Sequence, residues 1–217
     1  MKLSQLPACG KSHKLLILGG FHESVNEVER FDSQTVLLFG PTPDFWDFFT
    51  QSPEWKDGKP DAMDRWSLRV LTDMAQELGG EALFPFGGAP FLPFFTWALK
   101  SGQAWQSPVN LLVHAEAGLM VSYRGAIALP YRVDLPEAPE KPCATCHKPC
   151  LTACLSGALD GDGYDVPACK DFLRTEDGAE NMSQGCAVRR ACPISQSYAR
   201  MEAQSAYHMR IFVGESR

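Results

Sequence analysis

The 217-residue chain lacks any long apolar segment. Its longest apolar stretches, such as Leu15–Leu18, are as short as a strand, whereas a membrane-spanning helix needs about 20 apolar residues. Met1–Pro7 also lacks the apolar run of a signal peptide, and Leu6–Cys9, which faintly resembles a lipoprotein box, has no such run before it. We therefore expect no membrane association and a reducing, cytoplasmic location.

The chain also has no excess of positive charge. Its formal net charge is −6, which gives no basic footprint for nucleic acid, so we do not expect a nucleic-acid partner. With 45% hydrophobic and 21% charged residues, the composition is ordinary for a globular protein of this length. The sequence has room for one sizeable core and a small appended module, and it contains no low-complexity tract.

Cysteine, by contrast, is abundant and clustered. Of the 8 cysteines, all but Cys9 lie between positions 143 and 192. They are Cys143, Cys146, Cys150, Cys154, Cys169, Cys186 and Cys192. Bacterial ferredoxins use the pattern C-x2-C-x2-C-x3-C-P, in which the fourth cysteine serves the other cluster. The array here has one extra residue in the middle gap and keeps the closing Cys192-Pro193, so it resembles a modified iron–sulfur ligand set.

Ferredoxin logic predicts one complete [4Fe–4S] cluster. Its ligands are Cys143, Cys146, Cys150 and Cys192. A cubane needs about four thiolate ligands. When three of these cysteines are close in sequence and the fourth is remote, cluster binding requires the folded chain and is therefore coupled to folding.

The remaining cysteines form an incomplete second set. Cys154, Cys169 and Cys186 belong to it, but the expected fourth thiol is replaced by Arg189. Three alternatives stay open: no second cluster, a three-cysteine cluster with an open iron, or a fourth ligand from Cys9 or a non-cysteine group.

Other cysteine chemistry is compatible with parts of this pattern. Cys143-x-x-Cys146-His147 matches c-type haem attachment but leaves the other cysteines unexplained. An even cysteine count also permits disulfides, which a reducing compartment disfavours. Structural zinc is the stronger alternative, because C-x2-C pairs suit tetrahedral thiolate sites. We expect His147 to be solvated or beside the ligands rather than a ligand itself.

Apolar periodicity predicts both strands and helices. Buried strands are expected at 15–18, 35–39 and 82–84, a helix at 61–78 with Asp61 as N-cap and Gly79-Gly80 as its stop, and a shorter helix at 92–100. The segment 41–60 is predicted to be an aromatic loop whose rings pack into the core, and 109–114 and 119–129 to be paired antiparallel strands. Prolines from 130 to 142 mark a linker, and 196–209 is predicted to be helical.

Motifs from Trp105 to Pro193 carry a resemblance to a known family. They include Ser101-Gly102-Gln-Ala-Trp105, Asn110-Leu111-Leu112 with Gly118 and Gly125, Gly157-Ala158-Leu159, Tyr164-Asp165-Val166 with Cys169, and Gly185-Cys186 with Cys192-Pro193. In these motifs the chain resembles the epoxyqueuosine reductases and, more distantly, the reductive dehalogenases. The strand ending Val121-Ser122-Tyr123-Arg124-Gly125 is also similar to cobalamin-processing proteins of the same fold.

The resemblance implies an α+β architecture. A nitroreductase-like α/β domain at 1–139, with a possible site for cobalamin or another cofactor, would be followed by a ferredoxin-like iron–sulfur module at 140–196 and a helical tail at 197–217. The cluster would pass electrons to the cofactor on the first domain, and the electrons would come from a donor protein or small reductant. Candidate polar groups beside that cofactor are His114, Tyr123 and Arg124.

One departure from the family affects the expected activity. Family members carry an acidic proton donor in the turn before the second helix, where this chain has Gly87-Gly88-Ala89-Pro90. Since a reductase of this kind needs a positioned acid, we do not expect epoxyqueuosine reduction. These glycines serve either a tight turn or close approach of a cofactor. The hypotheses are therefore an oxidoreductase-type iron–sulfur protein, a non-catalytic cobalamin-binding or processing protein, and a structural zinc protein that mediates interactions.

Overall fold

The computed structural model describes residues 9–23, 34–160 and 162–215, with the side chains of Cys9 and Gly10 outside this description. The fold is α+β, with 40% helix and 16% strand, as predicted. The prediction that the N-terminus is not a signal peptide concerns Met1–Pro7, and these residues lie outside the described part of the chain. None of the described helices is long and apolar enough to cross a membrane.

The strands and helices follow one another along the chain in a mixed order. The described strands are β1 (Leu15–His22), β2 (Thr35–Pro41), β3 (Glu81–Leu83), β4 (Ala104–Gln106), β5 (Leu112–His114) and β6 (Gly125–Leu129). The described helices are α1 (Cys9–Ser12), α2 (Phe45–Phe49), α3 (Pro53–Lys56), α4 (Ala62–Glu77), α5 (Phe94–Lys100), α6 (Val166–Leu173), α7 (Ala179–Gln184), α8 (Ala187–Ala191), α9 (Pro193–Tyr198) and α10 (Glu202–Val213).

The chain divides into two compact units. The first comprises the described residues of Met1–Gln103 and Ser122–Pro139, and the second those of Ala104–Val121 and Glu140–Arg217. The sequence placed a single boundary near residue 139. In the structure, Ala104–Val121 instead belongs to the same unit as the cysteine-rich segment.

The first unit is built on an antiparallel sheet with strand order β1-β2-β6-β3. Leu37 of β2 lies opposite Ile127 of β6, and both side chains are fully buried. The predicted strands at 15–18, 35–39 and 82–84 are confirmed, although β1 and β2 extend further than their apolar runs. Burial of β2 at every position explains why its sequence reads as a continuous apolar run.

Helix α4 confirms the most regular helical pattern of the sequence. Its buried face includes Met63, Trp66 and Val70, whose spacing keeps them on one side of the helix. Asp61 occupies the predicted N-cap position, but its side chain makes no capping hydrogen bond and its φ is +52°. The predicted shorter helix is also present, as α5.

The aromatic segment after β2 is not the predicted loop. It folds into α2 and α3, and Ser52 caps α3 by accepting a 3.2 Å hydrogen bond from the backbone N–H of Trp55. The expectation that its rings pack into the core is confirmed by Phe45 and Phe49, which are fully buried. The Phe45 ring meets Trp66 edge to face at 5.0 Å. Apolar side chains on successive short helices lack the period of one long helix, which explains the wrong prediction.

The predicted pairing of 109–114 with 119–129 is also wrong. Strand β5 pairs with β4, with Trp105 opposite Val113, whereas β6 pairs with β2 and β3 in the first unit. Leu119 is buried in a turn that follows Gly118, and the backbone N–H of Met120 bonds to the carbonyl oxygen of Ala117 at 3.0 Å. Because the buried residues of this turn are apolar, its sequence resembles that of a buried strand.

In the second unit, the hairpin of β4 and β5 and the cysteine-rich segment share one hydrophobic core. Its buried members are Val109, Val113, Leu119, Cys150, Leu159, Val188 and Cys192. The predicted C-terminal helix is present as α9 and α10, separated near Ala199, whose φ is +53°. Two of the cysteines are thus core residues of this unit.

Candidate metal centre

The segment 143–150, which precedes α6, presents three cysteines in quick succession: Cys143, Cys146 and Cys150. The backbone N–H of Lys148, which has a φ of +55°, donates a 3.3 Å hydrogen bond to the Sγ of Cys146. A 3-10 turn over Pro149–Leu151 then carries Cys150 into the core, where it is 6% exposed. The chain therefore changes direction between Cys146 and Cys150.

The fourth cysteine of the predicted set arrives from a remote helix end. Cys192 is the N-cap of α9, and its carbonyl oxygen accepts a 3.1 Å hydrogen bond from the backbone N–H of Gln196. Further along α9, the hydroxyl of Ser195 accepts a 2.8 Å hydrogen bond from the backbone N–H of Leu119. This bond joins α9 to the turn after β5 and fixes the position of Cys192 relative to the hairpin.

All four cysteines of this set line one small cavity. Its volume is about 20 Å³, and it is lined by Ser107, Val113, Leu119, Cys143, Cys146, Lys148, Pro149, Cys150, Cys192 and Pro193. The thiols share an apolar wall contributed by the hairpin. Lys148 is the cationic residue of this lining.

The thiols of this set interact electrostatically. Burial raises the pKa of the Cys150 thiol, and the nearby thiols of Cys143 and Cys192 raise it further. Burial also raises the pKa of Cys143, which Lys141 opposes. A bound metal cation would favour the thiolate forms that burial and the neighbouring thiols disfavour, and metal binding would release the thiol protons to solvent.

Ser107 is a buried residue of the same cavity that sequence reasoning missed. It is 5% exposed, and its hydroxyl has no hydrogen-bond partner among the described residues. The turn between β4 and β5 holds it, because its backbone N–H bonds to the carbonyl oxygen of Leu111 at 2.9 Å. Ser107 lies far from the cysteines in sequence, so no spacing pattern could reveal it.

The second set of cysteines forms a separate group. Burial raises the pKa of the Cys169 thiol, a hydrogen bond from Tyr164 lowers it, and the nearby thiols of Cys186 and Cys154 raise it. The Tyr164 hydroxyl donates to the Sγ of Cys169 at 3.5 Å. Tyr164 is part of the family-like motif Tyr164-Asp165-Val166, but the sequence does not mark it as a partner of a cysteine.

Arg189 stands where the fourth thiol of this second set was expected. Cys186 is the N-cap of α8, so Arg189 lies about one turn further along the same side of the helix. Its guanidinium donates to the carbonyl oxygen of Leu119. The other fourth ligand considered, Cys9, has its side chain outside the described residues.

The three candidate cofactor residues lie in two different units. His114 belongs to the second, and its Nδ1 accepts hydrogen bonds from the backbone N–H groups of Glu116 at 3.1 Å and Ala117 at 3.2 Å. Tyr123 and Arg124 belong to the first. His114 therefore orders the turn after β5 through this nitrogen.

Arg124 and Tyr123 have contrasting surroundings. Arg124 is buried and pairs with Asp64, while its Nε donates to the hydroxyl of Ser67 at 3.1 Å. It thus binds helix α4. The Tyr123 hydroxyl is buried without a hydrogen-bond partner in the described part of the chain, and burial raises its pKa.

The glycine pair in the turn before α5 is explained by backbone conformation. Gly87 and Gly88 have φ values of +109° and +110°, which other residues rarely adopt. A Cβ added to either would meet no protein atom within 4 Å. The positive φ values account for glycine at both positions, and the space beside them is open on the protein side.

No family model, curated protein or solved structure matches the chain. Within residues 9–23, 34–160 and 162–215, no group of three or more His, Cys, Asp or Glu side chains is arranged to hold a metal ion as it stands. The family resemblance and the cofactors it implies thus remain predictions.

Proposed function

We propose that the protein is an iron–sulfur redox protein that transfers electrons through a [4Fe–4S] cluster. The ligands are Cys143, Cys146, Cys150 and Cys192. The observation that carries the proposal is that these four thiols, selected beforehand by ferredoxin spacing, line one cavity. Thiolates from a short loop and a remote helix end are the ligand supply that such a cluster uses.

The surroundings of the four thiols suit a bound anionic cluster. The Ser107 hydroxyl is buried at the cavity without a partner in the described residues, so it has a hydrogen to donate to sulfur. The backbone N–H of Lys148 already donates to Cys146. Hydrogen bonds to sulfur stabilise the more negative, reduced form of a cluster and raise its reduction potential.

The protein residues also control access to the centre. Cys150 and Cys192 are 6% and 8% exposed, whereas Cys143 and Cys146 are half-buried. Val113 and Leu119 exclude water on the buried side. When bound there, a [4Fe–4S] cluster supplies a one-electron carrier close enough to the surface to exchange electrons with a donor protein or small reductant.

The electron acceptor is a separate part of the proposal. By resemblance it is a cofactor, cobalamin in particular, bound to the first unit. In that unit, the Tyr123 hydroxyl is buried without a hydrogen-bond partner in the described part of the chain, so it could bind a polar group of such a cofactor. Cobalamin handling without electron transfer and a structural zinc site on the same cysteines are the alternatives.

Substitution of Cys146 tests the cluster assignment. In anaerobically purified protein, Cys146→Ala should remove most of the broad visible absorption of the [4Fe–4S] cluster and lower its iron content by about four per chain. The loss follows because a cubane held by three thiolates is bound weakly.

His147→Ala is the matched control. His147 is the exposed neighbour of Cys146, and we expect its replacement to leave absorption and iron unchanged. Full cluster absorption in Cys146→Ala would contradict the assignment. Zinc in place of iron in the wild type, lost in Cys146→Ala and kept in His147→Ala, would support the zinc alternative.

A further inference from the structure

The second set, Cys154, Cys169 and Cys186, belongs to the cysteine-rich segment that shares a core with the hairpin of β4 and β5. Cys154 and Cys186 both pack against the hydrophobic cluster of that core. Cys169 lies on α6, whose N-cap Asp165 accepts a 2.9 Å hydrogen bond from the backbone N–H of Ala168. This cap fixes the first turn of α6 and holds Cys169 in place.

Two of these thiols have hydroxyl partners. The Tyr164 hydroxyl donates to the Sγ of Cys169 at 3.5 Å, and the hydroxyl of Ser156 lies 3.4 Å from the Sγ of Cys154. The Tyr164 ring also stacks on Phe212 of α10, with centroids 6.2 Å apart. Hydrogen-bond partners that orient sulfur ligands are a regular feature of metal centres.

Arg189 occupies the sequence position at which the fourth ligand of this set is expected. Arg189 follows Cys186 on the same side of α8 and has no lone pair with which to bind iron. It is held by its bond to the carbonyl oxygen of Leu119. Arg200 lies nearby, donating to the carbonyl oxygen of Met120 at 3.2 Å. These cations would repel a further ferrous ion at the open corner but favour an anionic cluster beside them.

We propose that Cys154, Cys169 and Cys186 hold a three-iron [3Fe–4S] cluster, with Arg189 at the vacant fourth corner. This inference rests on the proposed iron–sulfur function and adds a second centre to it. Three thiolates give each of the three irons its one protein ligand. The Tyr164 hydroxyl acts as a hydrogen-bond donor to the ligand Cys169 rather than as a ligand itself.

Iron counting and electron paramagnetic resonance (EPR) test the proposal on the full-length protein. The wild type should contain about seven irons per chain, because one cluster has four and the other three. An oxidised three-iron cluster is paramagnetic, whereas an oxidised [4Fe–4S] cluster is not. Cys169→Ala should therefore lose the EPR signal of the oxidised protein and keep about four irons.

Arg189→Cys gives a test that does not remove a ligand. Treated with dithionite, which supplies the electron, and with ferrous iron, this variant should convert its three-iron cluster to a four-iron one. Iron should rise to about eight per chain, and the EPR signal of the reoxidised protein should disappear. Arg190→Cys is the control, because the Arg190 side chain bonds elsewhere, to Glu180 at 2.8 Å. Under the same treatment, that variant and the wild type should keep their signal.

The outcomes separate the two proposals. About four irons, unchanged in Cys169→Ala, would overturn the second centre and leave the first intact. About eight irons with no oxidised EPR signal in the wild type would also overturn it, because a fourth ligand would then exist. A wild type without iron or sulfide would overturn the iron–sulfur function as well.

Discussion

The backbone N–H of Leu119 donates a 2.8 Å hydrogen bond to the hydroxyl of Ser195. Both residues are buried, at 1% and 2% exposure. The bond joins the turn after β5 to the helix that follows Cys192, although the two segments are far apart in sequence. The hairpin is thus part of the cysteine unit and supports the segment that carries Cys192, the most remote of the four cysteines that line the cavity.

Ser195→Ala should destabilise the second unit. Removing the hydroxyl leaves the Leu119 N–H buried without an acceptor, which costs about 1–3 kcal/mol. Urea unfolding of the metal-free protein, followed by circular dichroism, should show a lower midpoint. Ser183→Ala, which removes an exposed hydroxyl on α7, should leave the midpoint unchanged. Equal midpoints for Ser195→Ala and the wild type would contradict the role given to this bond.

Gly118→Ala should have a larger effect than Ser195→Ala. A Cβ at Gly118 would lie 2.4 Å from the backbone nitrogen of Ser195, so α9 and Cys192 would have to move. The φ of +56° adds backbone strain, of order 1 kcal/mol for a residue with a Cβ. We expect lower stability and lower iron retention on gel filtration. Gly163→Ala is the control, because its added Cβ would meet no atom within 4 Å; iron retention equal in all three proteins would refute the prediction.

Ser107→Ala should lower the reduction potential of the four-iron cluster without changing its iron content. In the proposed cluster site this hydroxyl would donate to sulfur, and such a donation favours the reduced state. In the metal-free protein the substitution should be neutral or slightly stabilising, because the hydroxyl is buried without a partner in the described chain. Anaerobic redox titration measures the first effect and thermal unfolding the second. An unchanged potential would exclude Ser107 as a donor to the cluster.

Glu54 gives the first unit a predictable pH dependence. The hydrogen bond from Arg69, 2.6 Å from Nε to Oε1, holds the pKa of Glu54 below its ordinary value of 4.5. The folded state therefore binds this proton less readily than the unfolded chain. The stabilisation is complete above the ordinary pKa and is lost as the pH falls through the lowered folded pKa.

Glu54→Gln should remove that dependence. The wild type should be more stable near pH 7 by no more than about 1 kcal/mol, because Arg69 is half-exposed and solvent screens the pair. The difference should shrink as the pH falls below 4.5, as measured by thermal unfolding at a series of pH values. Glu81→Gln, at an exposed carboxyl of the same unit, controls for the lost charge. A difference that persists at low pH would contradict the assignment.

The sequence predicts an element correctly where a single regular pattern of apolar residues covers the whole helix or strand. Helix α4 and strand β2 were predicted because their apolar residues repeat with the period of a helix or run continuously through a buried strand. Cysteine spacing likewise selected four residues that line one cavity.

Sequence-based prediction failed where partners are distant in sequence. The pairing of β5 with β4 rather than with β6 depends on a turn buried at Leu119, which resembles a strand in composition. Ser107 lines the cysteine cavity because the β4–β5 hairpin packs beside the cysteines, so no local sequence pattern indicates its position. Long-range contacts of this kind are not encoded in the apolar pattern of either segment alone.

The iron and acid-labile sulfide content of the anaerobically purified wild-type protein tests the central claim most directly. The account predicts iron and sulfide together, at about four or more of each per chain, with little zinc. Zinc bound without sulfide would contradict it and identify the cysteines as a structural zinc site.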